Sequence, residues 1–145
     1  MTIKIIEQLR EEMSGIYGGG MRGSFEKRPY NHYSVTLSFP CGPENVDKLV
    51  KAAFEIIKNA QDKGVEQKDL DKVKETLKKQ NEDGLKDNDH WLDGLSYAWI
   101  EQTDPQWVLD YSKKVEALTL QDIQDAAKEY LNMQNYLKAV LYPEK

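Results

Sequence analysis

The chain has 145 residues, a formal net charge of -5 and a single cysteine. That length suits about one domain, able to bury roughly 70% of the surface its unfolded form exposes. The acidic balance excludes a phosphate-neutralising surface for nucleic acid or anionic membrane, which needs clustered basic residues, and the lone Cys41 excludes an internal disulfide.

In chain order, Met1 to Arg10 lacks a long apolar run and a small-residue cleavage site. Ile6, Leu9 and Met13 recur at helical spacing, so the start reads as the middle of a helix over Thr2 to Ser14. Little else precedes it to bury that face, and the expectation is a chain that starts where a longer protein was cut. A helix stopping near Gly15 would leave Arg10 in its last turns and Tyr17 at the start of an extended segment, so both polar heads could reach one point. Arg offers a fork of donors and Tyr one O–H, a pair able to hold a peptide carbonyl or a developing oxyanion. The plainer alternative is a surface Arg complementing the helix dipole and a Tyr that packs.

Tyr17 to Glu26 reads as a glycine-broken strand. Gly18, Gly19 and Gly20 mark a bulge or a close backbone approach, and would keep a groove beside Tyr17 open. Lys27 to Asn31 is the turn. Tyr33 to Phe39 alternates, with Val35, Leu37 and Phe39 on one face, which makes an antiparallel hairpin with one buried side. Cys41 reads as a small residue at the strand end.

Gly42-Pro43-Glu44 is a helix start. Val46, Leu49, Val50, Ala53, Phe54 and Ile57 then draw one apolar stripe up to Gly64, a helix lying on a sheet. Leu70, Val73 and Leu77 open a long helix with a break near Gly84, and Asn88 or Asp89 caps the continuation carrying Trp91, Leu92, Leu95 and Trp99. Asp104-Pro105 caps a helix with Val108, Leu109, Val115 and Leu118. Thr119 and Asp122 form a capping box for Ile123, Ala126, Ala127, Tyr130 and Leu131. A final strand spans Tyr136 to Tyr142.

The remaining chemistry is sparse. His32 and His90 lack metal-ligand spacing and a nucleophile motif. Gly18-Gly19-Gly20 lacks the Lys-Ser/Thr and helix start of a phosphate loop. Trp91, Trp99 and Trp107 read as core, and Lys72, Lys74, Lys78 and Lys79 as a solvated helix face.

The stretches Leu9-Arg10-Glu11-Glu12 to Tyr17, Lys27-Arg28-Pro29-Tyr30 and Cys41-Gly42-Pro43-Glu44-Asn45-Val46-Asp47-Lys48-Leu49 resemble the closing portion of pitrilysin/insulinase-family zinc peptidases. Asp89-His90-Trp91-Leu92, Asp104-Pro105, Ala117-Leu118-Thr119 with Asp122-Ile123, and Ala126 to Leu131 continue the resemblance in order along the chain. In that family two α+β halves enclose a chamber, and the N-terminal half carries an inverted His-x-x-Glu-His zinc motif. The resemblance implies that residues 1–145 are a single α+β domain, a fragment of the non-zinc-binding C-terminal half. Its antiparallel sheet, a hairpin plus a C-terminal strand, would pack against several helices in a LuxS/pitrilysin-type half.

The resemblance also implies roles. Arg10 and Tyr17 stand at the family's seven-position spacing, Arg10 to hold a substrate carbonyl and Tyr17 to hydrogen-bond the tetrahedral intermediate of a zinc metalloendopeptidase. No catalytic or metal-binding residue is expected in this chain alone. Zinc is expected in the missing N-terminal half, and the partners are that half or a homologous subunit and a peptide substrate, with no nucleic acid and no membrane span. A periplasmic or other extracytoplasmic bacterial location follows the family. Gly18 to Gly20 depart from the family's usual β-branched or serine-rich continuation. Two alternatives stay open, a non-catalytic structural or partner subunit and a free-standing peptide-binding module.

Overall fold

A computed structural model describes residues 1–142. Contacts divide the chain into two compact units, one formed by Met1–Gly64 with residue 124 onward, the other by Val65–Ile123.

The first unit opens with α1 (Thr2–Ile5), which continues as a π-helical turn over Ile6–Glu12. β1 (Gly20–Glu26) and β2 (His32–Ser38) follow as an antiparallel hairpin, in register from Gly20 opposite Ser38 to Glu26 opposite His32. A 3-10 turn, Pro43–Asn45, leads into α2 (Val46–Lys63), which stops where Gly64 turns the chain at φ 75°. Positive φ there suits glycine, which carries no Cβ to clash. Of the stripe expected of α2, Val46, Leu49, Ala53 and Ile57 are buried and Val50 and Phe54 half-buried, while Ala52, Ile56 and Ala60 are buried beside them.

The core follows from these faces. Ile5, Leu9 and Ile16 meet Leu49, Ala52, Ala53 and Ile56 of α2, with Met21, Leu37, Phe39 and Cys41 packed against the cluster from the hairpin side. Apolar alternation on β2 and the 3.6-residue stripe on α2 thus face one another across a single apolar layer. Thr2 ties the helix to the hairpin: its hydroxyl donates to the Met21 carbonyl and accepts from the Met21 amide, both at 3.1 Å. At the other end of the hairpin, Tyr130 of α6 (Leu120–Tyr130) sits edge-on to Phe25 and Tyr33, each at 5.2 Å between ring centres. Gln61 donates to the carbonyls of Ala127 and Leu131, securing the end of α6 on α2.

The second unit contains α3 (Gln67–Gly84), α4 (Asn88–Glu101) and α5 (Trp107–Ala117). The break near Gly84 is there, but Asp87 caps α4 by accepting from the Asp89 amide, in place of the Asn88 or Asp89 expected. Asp104 accepts from the Gln106 amide at 2.9 Å ahead of α5. The capping box forms as expected: the Thr119 amide donates to Asp122 at 2.8 Å, and the Asp122 amide to the Thr119 hydroxyl at 3.2 Å. Lys74 and Lys78, expected to be only solvated, reach across to the Glu116 carbonyl and carboxylate.

Three further expectations are corrected. Tyr136–Tyr142 is irregular, and the sheet of the described residues has only two strands. The segment's contacts go to α2, with Tyr136 edge-on to Phe54 at 4.9 Å and Lys138 bonded to Asp47 at 2.9 Å. A strand needs an edge to pair with, and these anchors place the segment on a helix. Trp99 is 87% exposed rather than core. α4 turns its small residues Gly94 and Ala98 inward, because α5 comes so close that a Cβ at Gly94 would lie 2.8 Å from Val108. Finally, the strand begins at Gly20, and Tyr17 lies on a bend before it.

No helix of the described residues is long and apolar enough to cross a membrane.

Candidate functional site

The segment from Gln8 to Gly20 is built by three backbone events. In the π turn the Met13 amide reaches back five residues to the Gln8 carbonyl, at 3.1 Å. An α-helix would have sent that amide to Leu9. The Leu9 carbonyl is therefore left for the Gly15 amide, which donates to it at 2.9 Å. Ser14, not Gly15, takes the left-handed conformation at φ 48° that folds the chain back.

Gly15 has a different reason to be glycine. A Cβ there would sit 2.5 Å from Leu49 Cδ2. Its bare backbone lies flush on α2, and Ile16 then enters the same cluster as Leu9 and Leu49. Leu9 is fully buried and Ile16 nearly so, and the residue after each is exposed: Arg10 stands in solvent and Tyr17 is 90% exposed. Both candidate side chains thus emerge from one buried support, seven positions apart in sequence but joined through the Leu9–Gly15 bond two residues before Tyr17.

The glycines after Tyr17 divide in function. Gly18 has no atom within 4 Å of where a Cβ would stand. Gly19, at φ 144°, is pressed on β2: a Cβ there would lie 2.6 Å from the Ser38 carbonyl oxygen. That is the close backbone approach expected of this run. The bend carrying Tyr17 is therefore pinned on both sides, by Ile16 in the core and by Gly19 on the strand.

Chemically, an exposed guanidinium offers N–H donors and an exposed phenol an O–H that donates as well as accepts, a pair suited to a carbonyl or an oxyanion. They supply neither base nor nucleophile. Among the described residues no group of three or more His, Cys, Asp or Glu is gathered as a metal ion needs. His32 is engaged by the Tyr30 carbonyl at 3.0 Å and lies 3.5 Å from the Glu26 carboxylate, while the ring of His90 packs against Gly84. The described residues do not fit a zinc centre.

Two surface depressions lie in the second unit. One of about 530 Å³ is lined by Leu95, Ala98, Trp99, Gln102, Thr103 and Pro105, and another of about 360 Å³ includes Tyr97, Asp104 and Trp107. Neither is lined by Arg10 or Tyr17. Sequence reading missed Trp99 as a surface residue; the nearby Gly94 and Ala98 spacing was the available signal, since small residues at i and i+4 mark the face of close helix approach.

Residues 1–77 match the protein family described as the peptidase M16 inactive domain. The chain is 33% identical over 100 residues to a protein named "Zinc protease PQQL-like" from Arabidopsis thaliana, covering 66% of this chain and 10% of that protein. It is 23% identical over 137 residues to "Probable zinc protease PqqL" of Escherichia coli K12, covering 94% of this chain and 15% of that one. The chain therefore spans only a small part of the curated relatives it matches. Its fold superposes on the crystal structure of the periplasmic protease PqqL from Escherichia coli with a TM-score of 0.74 at 22% identity, over 90% of this chain and 14% of that one. A protease from Helicobacter pylori gives 0.72 at 15% identity, over 89% of this chain and 30% of that one.

Proposed function

This chain belongs to the peptidase M16 family, the pitrilysin/insulinase group its motifs resemble, and on that premise we propose that it is the substrate-handling, non-metal-binding part of a longer zinc metalloendopeptidase. Arg10 holds a substrate backbone carbonyl beside the scissile bond. Tyr17 donates its O–H to the oxygen that gains negative charge as the peptide carbonyl becomes tetrahedral. Zinc and the general base belong to the N-terminal half of the parent polypeptide, with which this part would close a chamber around a peptide. An extracytoplasmic location accords with the periplasmic relative of the same fold.

The observation that carries the reading is the shared support of the pair. Leu9 and Ile16 lie in one buried cluster, and each is followed directly by an exposed donor residue. A shared buried support fixes the backbone from which both donors leave, so substrate has to order only the side chains themselves. The test is peptide hydrolysis by the full-length protein carrying Arg10→Ala or Tyr17→Phe. Wild-type kcat/KM in both, with unchanged melting temperatures, would sink the assignment.

A second reading is a non-catalytic structural or partner subunit. The exposed Leu92, Leu95 and Trp99 of α4 favour it, since large apolar side chains in solvent suit a protein contact. It predicts that Arg10 and Tyr17 are indifferent to any activity of the assembly.

A further inference from the structure

We propose that the π-helical turn Ile6–Glu12 is a positioning device for Arg10, and that its widened geometry sets where Arg10 stands relative to Tyr17. This rests on the reading of those two residues as a substrate clamp. Local sequence does not ask for a π turn. Ile6-Glu7-Gln8-Leu9-Arg10-Glu11-Glu12 contains no Gly or Pro and is rich in good α-helix formers. An α-helix would have continued from α1 without interruption. Turns of this type are rare and concentrate at functional sites, so something outside the local sequence holds this one.

That something is visible in the hydrogen bonds. The five-residue step from Met13 to Gln8 withdraws the α-helical donor from Leu9, and the Gly15 amide takes its place. The return bond is possible only because Ser14 turns left-handed and Gly15 has no Cβ to meet Leu49. Ile16 then drops into the core with Leu9. Closing the turn as a regular α-helix would give the Leu9 carbonyl back to Met13, release Gly15, and change the placement of Arg10 against the Tyr17 bend while leaving Leu9 buried.

The test is made in the full-length protein by deleting Glu11, an exposed residue, so that the excess of the turn is removed and an α-helix can close. The expected result is a fall in kcat on the order of 10²-fold, the scale of a misplaced binding group, with little change in KM and a melting temperature close to wild type. A second variant, Gly15→Ala, is expected to lower kcat in the same way, and Leu49→Val, which removes the obstructing Cδ2, to restore it in the double variant. Glu11 deletion or Gly15→Ala with wild-type kcat, in a protein where Arg10→Ala abolishes turnover, overturns the positioning role and leaves the clamp standing. Wild-type kcat in Arg10→Ala itself overturns both.

Discussion

The Gly15 amide donates to the Leu9 carbonyl at 2.9 Å, six residues back along the chain. That bond joins the end of the π turn to the start of the segment leading to β1. The residues just before Arg10 and Tyr17, Leu9 and Ile16, are both buried in one cluster, although neither Arg10 nor Tyr17 contributes to that core.

Exposure separates function from stability at this pair. Tyr17→Phe removes one O–H from a residue that is 90% exposed, so the melting temperature is expected to stay near wild type. Loss of a single oxyanion donor lowers kcat by about 10²–10³-fold in comparable sites. Steady-state kinetics with thermal denaturation of the full-length variant measures both.

Gly18 and Gly19 are expected to respond oppositely to alanine. Gly18 has nothing near the position of an added Cβ, whereas Gly19 has φ 144° and the Ser38 carbonyl at 2.6 Å from that position. Gly18→Ala should stay within about 0.5 kcal/mol of wild type. Gly19→Ala should cost on the order of 1–3 kcal/mol, because backbone strain and a backbone contact must both be relieved. Urea denaturation of the two variants decides it, and equal behaviour would contradict the pinned bend.

The capping box at Thr119 should show in both stability and pH. Thr119→Ala removes the acceptor for the Asp122 amide and is expected to cost about 1 kcal/mol, typical of a lost N-cap. The Thr119 hydroxyl and amide bond the Asp122 carboxylate and hold its pKa below the ordinary 3.8. The folded state thus resists protonating it, so its contribution is full above about pH 3.8 and lost as pH falls through the lowered value. The difference between wild type and Asp122→Asn should shrink below that pH in denaturation curves.

Anchoring of the C-terminal segment should be confined to a pH window. The Lys138 ammonium, by hydrogen bond and charge, lowers the Asp47 pKa from 3.8, and Asp47 likewise raises that of Lys138 from 10.5. The Asp47 contribution is present above 3.8 and disappears as pH falls through its lowered value. The Lys138 contribution is present below 10.5 and disappears as pH rises through its raised value. Asp47 is largely exposed, so high salt should weaken the pair as well. Hydrogen-exchange protection around Lys138, taken relative to the intrinsic rate at each pH, is expected to fall in acid and in salt; insensitivity to both would show that the Lys138–Asp47 pair does not hold the segment.

What the sequence determined by itself was whatever rests on neighbours a few residues away. The Thr119–Asp122 box, the α2 helix and the alternation through Val35 and Leu37 follow from bonds and periodicities spanning one helical turn or one pleat. The pairing of Arg10 with Tyr17 came from the family resemblance, not from any local bond or periodicity. The tertiary structure decided the rest because the deciding partner lies far along the chain. Leu49 lies where a Cβ on Gly15 would stand, and the chain leaves the π turn Ile6–Glu12 through a left-handed Ser14. Val108 draws Gly94 and Ala98 inward and leaves Trp99 in solvent. Phe54 and Asp47 hold Tyr136–Tyr142 against α2, where its alternating side chains find no strand edge to complete a ladder.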